Sequence, residues 1–458
     1  MPIPEKLLQS LEGVPGYDRA AFTAVHESGA QVTSLRLNPA KPTDGAQLPL
    51  AERIPWTRSG YYLTRRPSFT FDPLFHAGTY YVQEASSMFV EQALLQHTDG
   101  STPLTALDLC AAPGGKSTHL QSLLPEGSLL VSNEVIKSRA AILVENLTKW
   151  GADNVVVTNN DPQHFARLGG FFEVMVVDAP CSGSGLFRRD PEAINEWSTD
   201  NVQLCQGRQQ RILADAWPAL REDGLLIYST CSYSPEEDEA ILDWLSESFA
   251  VESLPVRLQE GWGIVEVRSP GGGAWGYRFY PDKVKGEGFF LAAFRKRESA
   301  PAAKGKVQRP ELVPAKEAGT LERWVQADGL RFLRHSGRIF ALPEPLLSSF
   351  TTLQGALYIQ NAGLGIGEAI RDKLIPDHAL ALSPRLHPSV PRTELDAALA
   401  VRYLQRADFA LDTQKGWQAV TYGGYPLGWI NALPNRLNNY YPREWRIRSA
   451  GNDATFEK

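Results

Sequence analysis

Hydrophobic spacing along the chain changes period several times, and the changes divide it into regions. From residue 104 the pattern is sharp. Short apolar runs at 104–109, 128–132, 154–158, 174–178 and 224–229 read as buried strands, while 116–124, 138–150 and 201–220 carry helical spacing. Strands alternating with helices imply parallel pairing through right-handed crossovers. A final pair of strands around 276–281 and 286–295 would close the unit, so the pattern predicts a doubly wound α/β fold over about 91–298. Residues up to about 70 predict a helix-containing leader, then short strands and turns rich in Pro and Gly. A charged, Pro- and Ala-rich stretch at 299–316 reads as a linker. Beyond it, strands are expected at 332–340 and 417–422 and a helix at 393–405, with no internal repeat. The expected division is an N-terminal extension (1–90), the α/β unit (91–298), the linker, a small domain (317–390) and a β-rich region (391–458).

Composition narrows the class. With 43% hydrophobic and 21% charged residues the chain reads as soluble and globular. Its apolar runs, such as 174–177 and 289–294, fall far short of the roughly 20 residues of a membrane-spanning helix. The start Met1-Pro2-Ile3-Pro4-Glu5-Lys6 lacks the basic and apolar parts of a signal peptide, so a cytoplasmic protein without membrane partners is expected. Four cysteines (Cys110, Cys181, Cys205, Cys231) with no CxxC pair argue against a disulfide scaffold or a zinc site, and no metal is expected. A net charge of -6 argues against indiscriminate coating of nucleic acid but allows a local basic surface.

The segment Asp108-Leu109-Cys110-Ala111-Ala112-Pro113-Gly114-Gly115-Lys116-Ser117 follows the first strand. A phosphate loop would need glycine where Cys110 stands, and a dinucleotide fingerprint would need GxGxxG. What remains is a small-residue turn that lets backbone approach the methionine end of S-adenosylmethionine. After the next strand, Glu134 can accept both ribose hydroxyls. Asp161 and Asp178 follow the third and fourth strands, at the carboxyl ends where such sheets bind ligands.

Two thiols also converge on this edge, Cys181 in Asp178-Ala179-Pro180-Cys181-Ser182-Gly183-Ser184-Gly185 and Cys231 in Ser229-Thr230-Cys231-Ser232. Carbon 5 of cytosine is a poor nucleophile, and thiolate addition at carbon 6 turns it into an enamine-like centre able to attack a sulfonium methyl. Asp178 beside the ring could hydrogen-bond the exocyclic amine or N3. The target base must be unpaired or swung out of its stack.

At DLCAAPGGKS, NEVIKSRA, DAPCSGSG, STCSYSPEEDEAI and GEGFFLAAFRK the chain resembles the Nol/Nop/Sun family of RNA cytosine-5 methyltransferases. The resemblance implies a Rossmann-like methyltransferase domain that uses S-adenosyl-L-methionine, with Cys231 as nucleophile and Cys181 assisting product release. It further implies cofactor contacts from Cys110, Ala111, Ala112, Pro113, Gly114, Gly115, Lys116, Glu134, Asp161 and Asp178. Leu35-Arg36-Leu37-Asn38-Pro39-Ala40-Lys41 resembles the family's RxNTLK element, with Pro39-Ala40 in place of Thr-Leu. The stretch 78–87 resembles YxQExSS, where Gln83 and Ser86 have either a structural or a direct role. The extension 1–90 is thus expected to bind RNA.

Residues 401–448 hold seven Arg or Lys against three Asp or Glu, set among Trp429, Tyr440, Tyr441 and Trp445. Guanidinium groups on phosphates and aromatic faces on unpaired bases suit RNA. The stretches 423–429 and 438–448 resemble the PUA-like tail of the bacterial RsmF-type branch, which implies small-subunit ribosomal RNA, free or in an assembly intermediate, as the partner; a monomer is expected. A transfer RNA methyltransferase of the same family and a catalytically silent assembly factor are the alternatives.

Overall fold

The computed structural model describes residues 3–43, 48–303, 308–335, 337–370 and 373–448. The five apolar runs form parallel strands β1 (Thr105–Asp108), β2 (Leu129–Asn133), β3 (Val155–Thr158), β4 (Phe172–Asp178) and β5 (Leu220–Thr230). Their spatial order is 3-2-1-4-5. Helices α1 (Gly115–Leu123), α2 (Lys137–Trp150) and α3 (Thr199–Ala216) cross between them, and α4 (Glu239–Ser248) follows β5. Every residue of β2 and β3 is buried, which is why those strands read as continuous apolar runs rather than alternating ones. Four antiparallel strands extend the β5 side: β6 (Val251–Leu254), β7 (Val265–Arg268), β8 (Trp275–Phe279) and β9 (Phe289–Lys296), with β9 against β5.

The sheet does not close at residue 298. Its other edge is covered by β10 (Ile359–Ala362), antiparallel to β3. Phe340, Leu342, Phe350, Leu353 and Leu357 share one hydrophobic core with Val156, Phe165 and Leu168. A fully buried strand such as β3 leaves a row of backbone donors and acceptors that must be paired, and local spacing cannot name the partner.

Three further differences from the sequence pattern have local causes. The run 332–340 is a hairpin, Leu330–His335 with Arg338–Pro343, turning at the positive-φ Gly337. The expected helix 393–405 starts only at Ala397, where the Asp396 side chain accepts from Leu399 N at 2.8 Å, and Arg392–Glu394 is a strand. The expected linker 299–316 includes residues 304–307, which lie outside the described residues, and its end is taken up in a short strand, Glu311–Leu312, and a helix, Ala315–Leu321.

Upstream, Leu50–Arg53, Gly60–Leu63, Ser34–Leu37 and Tyr80–Val82 form a four-stranded antiparallel sheet. The matched residues of the RxNTLK-like element are buried and face the catalytic unit. Arg36 donates to Gln83 Oε1 (3.0 Å) and Thr118 Oγ1 (2.5 Å) and lies 4.5 Å over the Trp150 ring. Asn38 donates to Gly78 O and Trp150 O, and Lys41 Nζ donates to Ala77 O (2.8 Å) and Lys149 O (2.5 Å). Ser86 Oγ donates to Glu287 O at 2.9 Å. Ser86 thus ties the leader to the α/β unit, while Gln83 bonds within the leader, to Arg36 and, through its carbonyl, to Ser34.

The last sheet comprises Arg392–Glu394, Gly416–Tyr422, Tyr425–Leu433 and Arg436–Asn439. Gly423 and Gly424, both at positive φ, make the tight hairpin turn that left-handed backbone requires. Two of the aromatics expected to stack on bases are core instead. Trp429 is fully buried, donates to Asp377 O at 2.7 Å and packs edge-on against Trp324, while Tyr441 is buried between His76, His378 and Tyr403. Tyr440 remains exposed, as do Arg402, Lys415, Arg436, Arg443, Arg446 and Arg448.

Where the first, catalytic and last regions meet, burial pushes His76 and His378 down to about 3, with Lys149 adding to both. Each is neutral when folded, whereas its unfolded counterpart protonates near the ordinary histidine value. Folded values below the unfolded one mean that this stability is present above about pH 6.5 and lost as pH falls toward 3. The slope is up to about 1.4 kcal/mol per pH unit for each ring. Unfolding midpoints should therefore fall between pH 7 and 5, and His378→Leu should flatten that slope; an unchanged slope would rule the ring out as its source. Separately, Lys41→Met strands two buried carbonyls and should destabilise by about 1–3 kcal/mol, read as a lower Tm and faster proteolysis of the N-terminal sheet.

Candidate active site

β1 ends at Asp108, which is fully buried and accepts from Ser117 Oγ at 2.7 Å. Burial pushes its carboxyl up to about 7 against the pull of that hydrogen bond, and Asp178 adds repulsion. Its Oδ1 has no partner. Gly114 sits at φ 116°, which lets α1 begin at once, with Gly115 and Lys116 in its first turn. The loop is held from behind: Arg139 donates to Ala112 O (2.8 Å), Asn146 to Pro113 O (2.7 Å), and Ala111 N to Asn133 O (2.8 Å). Burial, with Asp108 and Asp178 nearby, pushes the Cys110 thiol well up, so this cysteine stays a small neutral side chain.

Lys116 reaches across to Asp178, Nζ to Oδ2 at 2.8 Å, and lies over the Phe289 ring at 5.1 Å. Burial alone would lower its pKa; the carboxylate of Asp178 overrides this and raises it. Ser229 Oγ donates to Asp178 Oδ1 at 2.8 Å, so both oxygens are fixed. At the end of β2, Glu134 is buried, accepts from Ile136 N at 2.9 Å and lies 3.4 Å from Arg139. Asp161 accepts from Gln163 N at 3.1 Å and lies 3.5 Å from Arg211. Asn159 Nδ2 donates to Glu134 O (2.6 Å), so the loops after β2 and β3 are linked.

The two thiols meet. β4 and β5 pair in parallel with Asp178 opposite Ser229, and the loops that follow set Cys181 Sγ 2.9 Å from Cys231 Sγ, both cysteines being free. The hydrogen bond with Cys231, then burial, then the charges of Cys231 and Glu237, raise Cys181 well above an ordinary thiol. Close approach of the loops needs Gly185, whose N donates to Cys231 O at 2.9 Å; a Cβ there would meet Gly288 O at 2.5 Å and Cys231 O at 2.8 Å.

Sequence reasoning missed what stands behind the thiols. Glu237 accepts from Ser182 N (2.8 Å), Ser182 Oγ (2.5 Å), Ser232 Oγ (2.6 Å) and Gln209 Nε2 (3.2 Å). Asp238 accepts from Thr230 Oγ1 (2.7 Å) and faces Arg278 at 3.3 Å; Glu239 pairs with the same guanidinium, Nε to Oε1 at 2.6 Å. Glu236-Glu237-Asp238-Glu239 has the look of a solvated helix start, yet the last three are buried. The signal available was Arg278 in β8, a charge inside an apolar strand that needs a buried partner. Among the described residues no group of three His, Cys, Asp or Glu is placed to hold a metal ion.

Three family models match along the chain: the N-terminal domain of 16S rRNA methyltransferase RsmF over residues 3–85, 16S rRNA methyltransferase RsmB/F over 93–295, and the methyltransferase RsmF PUA domain over 390–447. Ribosomal RNA small subunit methyltransferase F of Aeromonas salmonicida is 31% identical over 414 residues, 86% of this chain and 85% of that one. The protein of the same name from Escherichia fergusonii is 30% identical over 426 residues, 85% and 84% of the two chains. Among solved structures, a methyltransferase homolog protein from Pyrococcus horikoshii is 30% identical with a TM-score of 0.51, covering 64% of this chain and 99% of that one. NSun6 from the same organism, 19% identical with a TM-score of 0.52, covers 65% and 99% and shares the fold. With a glycine-loop α/β sheet, an N-terminal RsmF domain and an RsmF PUA domain in one chain, this protein belongs to the RsmB/F family of RNA methyltransferases.

Proposed function

We propose that this protein methylates carbon 5 of a cytosine in small-subunit ribosomal RNA, with S-adenosyl-L-methionine as methyl donor and Cys231 as covalent nucleophile. The observation that carries this reading is the pair of free thiols 2.9 Å apart at adjacent strand ends, next to Asp178 and Lys116. A fold that only bound RNA would have no use for such a pair.

The residues fit the cofactor. Glu134 lies at the strand end suited to ribose hydroxyls, Asp161 follows the neighbouring strand, and residues 110–116 form the small-residue turn between β1 and α1. Asp108 leaves one buried oxygen orphaned near the loop, an acceptor suited to the ammonium of an amino-acid tail or to a bridging water. When bound, S-adenosyl-L-methionine supplies an electrophilic sulfonium methyl.

Cys231 attacks carbon 6 as thiolate, breaking the C5=C6 π bond and moving its electron pair to carbon 5, which takes the methyl. Asp178 has a lone pair left on each oxygen to accept from the exocyclic amine, and Lys116 offsets the negative charge that grows on the ring. Loss of the carbon 5 proton to a base returns the pair to C5=C6 and expels the Cys231 thiolate. Cys181, holding its proton, donates to the leaving sulfur. Small-subunit ribosomal RNA is supported by the names of the full-length relatives and by exposed Arg436, Arg443, Arg446 and Arg448 beside Tyr440.

The test is a denaturing gel for covalent protein–RNA product, with unmodified small-subunit RNA and S-adenosyl-L-methionine. Cys231→Ala should give neither adduct nor methylation. Cys181→Ala should retain attack and slow release, so that adduct accumulates. Adduct from Cys231→Ala but not from Cys181→Ala would reverse the assignment, and no reaction of wild type with this RNA would remove the substrate reading.

A further inference from the structure

We propose that Glu237 is the positioning residue of the two-thiol site: by accepting hydrogen bonds from the loop of Cys181 and the loop of Cys231 at once, it sets the sulfur–sulfur approach and places a negative charge behind the pair. This rests on the reading of Cys231 as nucleophile. Ser182 comes from the loop after β4 and Ser232 from the loop after β5, and both hydroxyls converge on Glu237 Oε2, at 2.5 and 2.6 Å. Oε1 takes Ser182 N at 2.8 Å and Gln209 Nε2 at 3.2 Å; Gln209 also donates to Pro180 O at 3.1 Å. Three of the four chain neighbours of the cysteines, Pro180, Ser182 and Ser232, are thus held by this carboxylate or by the amide bonded to it, and the fourth, Thr230, donates to Asp238.

Holding the loops together does not by itself call for a charge. Gly185 N on Cys231 O (2.9 Å) and Tyr233 N on Ser184 Oγ (2.9 Å) already bridge them with neutral groups. A buried carboxylate is expensive to desolvate, and here burial does raise Glu237 against its four hydrogen bonds. What the charge adds is a negative field that disfavours a thiolate at Cys181. The same field acts on Cys205 on the neighbouring helix. The other charges around the pair are Lys116 and Asp178 on the cofactor side and Asp238 with Arg278 behind β5.

The experiment is differential alkylation of the intact protein with iodoacetamide from pH 6 to 9.5, read by peptide mass at Cys181 and Cys231, in wild type, Glu237→Gln and the double variant Ser182→Ala/Ser232→Ala. It needs neither RNA nor cofactor, so its failure is distinct from failure of the substrate reading. Glutamine keeps the shape and removes the charge. In that variant the Cys181 alkylation curve should move down by about one pH unit, which is up to about tenfold faster alkylation of Cys181 at a given pH. Methyl transfer should slow about 10- to 100-fold with KM for RNA unchanged. The double variant keeps the charge and loses the ties, so transfer should slow while the Cys181 curve stays in place. A folded Glu237→Gln with the wild-type alkylation order and curve would overturn the proposal. Should that variant not fold, wild-type methyl transfer by the double variant would overturn it instead.

Discussion

Everything at the candidate site depends on the parallel register of β4 against β5. Asp178 lies opposite Ser229, so the two chains leave the sheet side by side, and Cys181 and Cys231, three and two residues further on, come to lie next to each other. A shift by one residue would turn every side chain of one strand to the other face and separate the thiols. The register is secured by burial, since Val174, Met175, Val176 and Val177 on β4 and Leu225, Leu226, Ile227 and Tyr228 on β5 are almost wholly inaccessible. Beyond the strands, Ser229 on Asp178 and both serines on Glu237 continue the pairing with side chains where the ladder of backbone bonds ends.

A second constraint comes from the leader. Arg36 is fully buried with no carboxylate in hydrogen-bond contact, and burial pushes its pKa down to about 9. Its guanidinium is met by neutral acceptors, Gln83 Oε1, Thr118 Oγ1 and Gly115 O, and by the Trp150 face. Two of those acceptors belong to the first turn of α1, the turn that carries Lys116. Asn38 and Lys41 act at the other end of the neighbouring helix, on the last carbonyls of α2, where a cation is favoured. The leader therefore grips the start of one cofactor-side helix and the end of the other, and the RxNTLK-like residues serve that grip. The change to Pro39-Ala40 falls between the gripping residues and leaves their contacts in place.

The parallel core was readable because buried parallel strands leave an unmistakable apolar run, and the candidate residues were readable because small residues, acids and thiols fall just after those runs. What escaped reading was non-local. Phe332 and Phe340 bracket a turn that only Gly337 marks, so two strands read as one. Trp429 and Tyr441 sit among arginines in the sequence, and whether an aromatic ring faces solvent or core is decided by Trp324, Asp377 and His76, all distant along the chain. The buried acids after Cys231 escaped for the same reason, because Arg278, the partner of Asp238 and Glu239, lies 39 residues beyond Glu239, and Ser182 and Gln209, which bond Glu237, lie upstream on other elements.

The appended strand β10 joins the C-terminal part to the chemistry more closely than a tethered domain would be. Asn160 and Tyr358 exchange paired bonds, Asn160 Nδ2 to Tyr358 O at 2.9 Å and Tyr358 N to Asn160 Oδ1 at 3.0 Å, which extend the β3–β10 ladder by one side-chain rung. Asn159 N donates to the same Tyr358 carbonyl at 3.3 Å, and its side chain donates to Glu134 O and Val135 O. Two asparagines thus connect the C-terminal strand to the backbone that presents Glu134. Without β10 the outer backbone groups of β3 would lose their partners, and the Asn160 side chain and the Asn159 N–H would have water to bond instead of Tyr358. The geometry around Glu134 therefore depends on residues more than 200 positions downstream. An α/β unit cut at residue 298 would keep the glycine turn, Glu134 and both thiols and lose the strand that steadies the loop of Glu134.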